Sequence, residues 1–153
     1  MLDNGLAIGT DGLSKNYGRF AAVSGLSLRV APGEIYGFLG LNGAGKTTTI
    51  RMLLGMVRPS AGQASIFGQP VSADAGDIWR RVGYLVEKPS AYPELTVVEN
   101  LEVMRRLRGM ADTQAASRVI KLLALDPYAR RRARTLSTGN AQRLGLAKAL
   151  LHH

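Results

Sequence analysis

Residues 35–57 read IYGFLGLNGAGKTTTIRMLLGMV, and this stretch decides the fold. Its first five residues, Ile35 to Leu39, are continuously apolar, the pattern of a strand covered on both faces. They run into the glycine-rich segment Gly40 to Thr47. Beyond it Ile50, Leu53, Leu54 and Val57 recur at the i, i+3, i+4, i+7 spacing of one helical face, and Pro59 limits continuation. The order is strand, glycine loop, helix.

Gly40-Leu41-Asn42-Gly43-Ala44-Gly45-Lys46-Thr47 satisfies G-x-x-x-x-G-K-[ST], the P-loop pattern, in the strand-to-helix setting that the pattern requires. Glycines let the backbone fold tightly around a β-phosphate with several N–H groups pointing inward, and the helix that follows adds its positive end. Lys46 is a compact charge for the β- and γ-phosphates, and the Thr47 hydroxyl, with Thr48 beside it, suits Mg²⁺ and nucleotide. P-loops serve many reactions, so the loop alone names none of them. No N-K-x-D base-reading motif occurs, which argues against a GTPase.

Outward from the loop, Leu26, Leu28 and Val30 alternate with Ser27 and Arg29 as in a half-buried strand, and Pro32-Gly33 supplies a turn. Val82 to Val86 is a second buried-strand candidate, followed by a loop over 87–95. Thr96 and Glu99 form a capping box for a helix with the stripe Val97, Leu101, Met104 and Leu107. Ala116, Val119, Ile120 and Leu123 mark another helix, ended by Asp126-Pro127. From Ser137, Ala141, Leu144, Ala147 and Leu151 mark a third. The first half is mixed α/β and the second a helical subdomain.

Composition narrows the setting. The 153 residues, 46% hydrophobic and 20% charged, suit one globular domain. With no cysteine there is no disulfide framework and no thiolate chemistry, which fits the cytoplasm. No apolar stretch approaches the roughly 18 residues of a membrane span, so membrane association is expected through a partner. Twenty Lys and Arg against eleven Asp and Glu give a net charge of +9, which favours anionic partners without choosing among them.

The stretch GLNGAGKTTTIRMLLGMVRPSAGQASIFGQP (40–70) resembles the opening of an ATP-binding-cassette (ABC) nucleotide-binding domain, including an S-x-G at Ser60-Ala61-Gly62. The resemblance continues in GLSKNYGRFAAVSGLSLRVAPGEI (12–35), RRVGYLVEKPSAYPELTVVENL (80–101) and TLSTGNAQRLGLAKALL (135–151). It implies an α/β fold: a P-loop NTPase core with an N-terminal antiparallel β-subdomain over 1–87, and a helical subdomain with the Q-loop and signature helix over 88–151. Together these make a single, incomplete nucleotide-binding domain that binds ATP and Mg²⁺.

By the resemblance Tyr17 is the aromatic that stacks on adenine; without it, Tyr17 is an aromatic at a strand end. Glu87 stands where the family usually has the Q-loop glutamine and implies a Mg²⁺ ligand; its plainer reading is a solvated carboxylate. Leu136-Ser137-Thr138-Gly139-Asn140 stands at the family signature LSGGQ, with Thr138 in place of glycine and Asn140 in place of glutamine. Ser137, Gly139 and Asn140 would then bind the γ-phosphate of ATP held by an opposing subunit; by itself the segment is an ordinary helix N-cap.

The family's Walker B run ending in Asp-Glu does not precede the end at His153, and Leu122 to Asp126, which imitates one, has helical periodicity and comes before the signature. The expectation is a truncated domain that binds nucleotide and hydrolyses it negligibly alone, with no catalytic acid in the chain. The leading reading is the ATPase subunit of an exporter, most like the antibiotic or bacteriocin-peptide branch, peripheral on the inner face of the cell membrane through a transmembrane permease and paired with a second nucleotide-binding domain. A soluble cassette ATPase acting on nucleic acid or ribosomes would suit the run Arg130-Arg131-Arg132-Ala133-Arg134, but only Tyr128 offers stacking nearby, and nucleic acid is not the expected partner. A truncated, non-hydrolysing ATP-binding protein is the third reading.

Overall fold

The computed structural model describes residues 5–72, 76–86 and 89–152. Its tertiary contacts gather into two compact units, Met1–Ile78 and Trp79–His153. In the first, β1 (Ile8–Tyr17) is the spine of a five-stranded sheet of order β2-β1-β4-β5, with β2 at Phe20–Leu26, β4 at Ala61–Ile66 and β5 at Gln69–Pro70. The short β3 (Arg29–Val30) also pairs with β1, and all these pairings are antiparallel. Helix α1 (Lys46–Leu53) packs on the sheet, where Met52 meets Leu13, Val23 and Ala64 in a small core.

Leu28 and Val30 turn inward as their alternation predicts, but residues 26–30 are not one continuous strand. The interruption has a local cause. The buried Thr10 hydroxyl donates to Leu26 O at 2.9 Å and accepts from Leu28 N at 2.8 Å, and Ser27 Oγ accepts from Gly12 N. Side-chain bonds thereby replace ladder bonds at the crossing from β2 to β3.

Neither expected buried strand forms. Ile35 is 100% exposed and Leu39 92%, and residues 35–39 form neither strand nor helix, nor do residues 82–86. A strand's N–H and C=O groups require neighbours. Among the described residues no strand pairs with either segment. The apolar face of α1 is also rotated from the expected one: Thr49 and Met52 are buried while Ile50 is exposed. Gly45 sets that rotation, because its backbone lies against Ala22 and Val23 of β2, so the positions four and seven residues on face the sheet.

The second unit is helical. Helix α2 (Gly76–Arg81), not anticipated from sequence, leads into it, and α3 (Val97–Leu107), α4 (Ala115–Leu122) and α5 (Thr138–Leu150) enclose a core of Val97, Leu101, Val119, Ile120, Leu144 and Leu151. The capping box is present: Thr96 Oγ1 accepts from Glu99 N, and Glu99 Oε2 accepts from Thr96 N at 2.7 Å. The α3 stripe is shorter than expected, since Leu107 is exposed. The chain leaves α4 by a 3₁₀ turn at Asp126–Tyr128, so the segment from Leu122 to Asp126 is a helix end, as its periodicity predicts.

A phosphate-binding loop beside an aromatic hairpin

The P-loop residues sit between the β1–β2 hairpin and the start of α1. Gly43 and Gly45 have φ of 84° and 83°, a conformation that glycine adopts freely. Gly45 is the N-cap of α1 and supplies no side-chain cap, and no acidic residue lies in the first turn. The amide N–H groups at the helix start are thus uncapped by side chains and carry the positive end of the helix, the arrangement that receives an anion. Lys46 Nζ donates to Gly40 O at 2.6 Å and Leu41 O at 2.7 Å, holding the ammonium over the loop.

Tyr17 and Phe20 pair directly across the two-residue turn that joins β1 to β2. Both rings are exposed, and both line one cleft of about 360 Å³ with Asn42, Gly43, Gly45, Lys46, Thr47 and Thr48. Lys15 Nζ lies 5.2 Å from the centre of the Tyr17 ring. Of the sequence-predicted residues, Tyr17 is thereby brought together with Asn42, Gly43 and Gly45 to Thr48, whereas Gly40, Leu41 and Ala44 do not line the cleft. Phe20 is not singled out by sequence; its signal is the spacing around Gly18, which as a hairpin turn sets positions 17 and 20 opposite one another. A flat apolar wall beside a cluster of N–H donors fits an aromatic base joined to phosphates.

In the helical unit Ser137 is the N-cap of α5, and its Oγ accepts from Asn140 N at 3.3 Å. Ser137, Thr138 and Gly139 are exposed, and nothing lies within 4 Å of the place a Cβ would take on Gly139. Glu87 lies outside the described residues. Among those described, no group of three or more His, Asp or Glu side chains could hold a metal, and Thr47, the other ligand expected from sequence, lines the cleft.

The arginine run is partly engaged: Arg132 and Arg134 both reach Glu94, at 3.5 and 3.3 Å, and Arg131 lies over the Tyr128 ring. Among the described residues no helix is long and apolar enough to cross a membrane.

The profile of the family described as ABC transporter matches residues 23–153. Over 95% of its length the chain is 44% identical to the bacitracin transport ATP-binding protein BcrA of Bacillus licheniformis, and 44% identical to the Nod factor export ATP-binding protein I of Paraburkholderia xenovorans. It spans about half of these relatives, 48% and 49% of their lengths. A solved ATP-binding subunit of an ABC transporter superposes with a TM-score of 0.85 at 27% identity, covering 95% of this chain and 62% of that one. The cbiO1 protein of Clostridium perfringens, part of the ABC transporter complex cbiONQ, shares the fold at a TM-score of 0.80 and 19% identity, over 97% of this chain and 62% of its own. With the profile running from β2 to the chain's last residue and the fold shared with a solved subunit, the chain belongs to the ABC transporter family and carries its ATP-binding fold.

Proposed function

We propose that the chain is the ATP-binding part of an ABC exporter's ATPase subunit. The observation that carries this reading is the single cleft in which Tyr17 and Phe20 stand beside the uncapped start of α1. Tyr17 stacks on adenine, with Phe20 as a second apolar wall. Gly40 to Thr48 hold the phosphates, Lys46 turns from its own loop's carbonyls to the β- and γ-phosphates, and the Thr47 hydroxyl holds Mg²⁺ with Glu87 as a further ligand. Ser137, Gly139 and Asn140 meet the γ-phosphate of ATP bound by a second nucleotide-binding domain. The two compact units are parts of one nucleotide-binding domain.

The transport of bacitracin and the export of Nod factor, named for two relatives, support an export role. In this reading the subunit works on the inner face of the cell membrane by docking on a transmembrane permease, and closure of the paired domains on ATP drives that partner. The proposed ATP-binding residues all lie within the 153-residue polypeptide, which holds no acidic residue after Asp126, and by itself it is expected to bind ATP and hydrolyse it negligibly. The test compares two preparations. Protein made from the native gene with its permease is expected to show Mg-dependent turnover that Lys46→Ala abolishes, whereas the 153-residue polypeptide shows none. Turnover by the polypeptide itself, lost in Lys46→Ala, would overturn the second half of the proposal.

A further inference from the structure

Lys148 lies in the last turn of α5 and is only 8% exposed. Its Nζ donates to Ser90 O at 2.8 Å and to Asn100 Oδ1 at 3.1 Å, and it stands 5.7 Å from the centre of the Tyr92 ring. Asn100 is fully buried and completes the knot: its Oδ1 also accepts from Tyr92 N, while its Nδ2 donates to Tyr92 O, Leu95 O and Thr96 O. Burial pushes the Lys148 ammonium below the ordinary lysine value. An apolar residue would fill this place at lower desolvation cost, so the bonds give the lysine a reason to be there.

Two glycines hold the neighbouring chain against the same helix. A Cβ on Gly83 would overlap the Ala149 carbonyl, and one on Gly145 would come within 2.8 Å of Pro89 Cβ and 2.9 Å of Leu85 Cδ1. The segments on either side of residues 87 and 88 are therefore fastened to α5, one by close backbone approach and the other by Lys148. The N-terminus of that helix is the Ser137 cap.

We propose that Lys148 is a positioning residue that locks the segment from Pro89 to Leu95 onto α5, so that this segment and the helix beginning at Ser137 move as one body. Its consequence for turnover rests on the function proposed above; the tether itself does not. A displacement of the 89–95 segment would then be carried along α5, from its last turn to the Ser137 cap at its other end.

The test uses the full chain, whose lack of cysteine permits spin labels at Ser90→Cys and Leu146→Cys. The expected label separation is narrow and unchanged by Mg-ATP, broad in Lys148→Met, and narrow again in Lys148→Arg. A shift above about 2 Å on adding nucleotide to the otherwise native chain, or a Lys148→Met distribution that stays narrow, would overturn the proposal. If Lys148→Met does not fold, the comparison with and without nucleotide decides. If a fluorescent ATP analogue does not bind, the proposed function fails while the Lys148→Met comparison still judges the tether. In protein from the native gene, Lys148→Met should lower turnover about tenfold with nucleotide Kd changed less than about twofold, and Lys148→Arg should restore it. Undiminished turnover would count against positioning.

Discussion

Replacing Gly45 by alanine, beside the same change at Gly43, isolates one physical effect. Both glycines have φ near +84°, so alanine at either site carries the same left-handed strain, about 1–2 kcal/mol, and the same reduction in unfolded-chain entropy. Their surroundings differ. Nothing lies within 4 Å of a Cβ on Gly43, whereas one on Gly45 would overlap the Ala22 carbonyl and sit 2.9 Å from Val23 Cγ2. The clash involves backbone, which cannot rotate away, and overpacking of this kind costs about 1–3 kcal/mol. Gly45→Ala should therefore be about 1–3 kcal/mol less stable than Gly43→Ala, measured by urea unfolding and by hydrogen exchange of β1 and α1 amides. Equal losses in the two variants would refute the placement of α1 against β2.

If the aromatic hairpin stacks on a base, Tyr17→Ala and Phe20→Ala should each weaken ATP binding by about 0.5–1.5 kcal/mol, roughly 2–10-fold, with Tyr17→Phe near wild type in a fluorescence titration. Glu102 is held down to about 2 by hydrogen bonds from Arg105 and then Arg106. A depressed carboxylate contributes stability that is fully present above its unfolded value and lost as pH falls through the folded one. Helical circular dichroism should accordingly decline between about pH 4.5 and 2, and Glu102→Gln should flatten part of that decline. Thr96→Ala removes the capping box and should lower stability by about 0.5–2 kcal/mol in urea, with faster exchange at the first turn of α3.

Features that depend on nearby residues were legible in the sequence. Glycine spacing marked the loop and the start of α1, the Thr96–Glu99 pair marked the start of α3, and the 3.6-residue period marked α4 and α5. Strands were less legible because an apolar run states a capacity to pair, and pairing needs neighbours from elsewhere in the chain. Ile35 to Leu39 has the composition of a central strand and remains exposed coil. Phe20 acquires its place only through the hairpin register with Tyr17. Asn100 and Lys148 look like surface residues of amphipathic helices, yet both are buried, and Lys148 finds its carbonyl partner 58 positions away at Ser90. Periodicity does not encode such a bond.

The most direct test of the central claim is calorimetric titration of the full chain and its Lys46→Ala variant with Mg-ATP. Lys46 supplies charge-assisted bonds worth about 1.5–3 kcal/mol, so saturable binding is predicted for the native chain and binding about 10–100-fold weaker for the variant. Absence of binding to the native chain, or equal affinity in the two, would contradict the account.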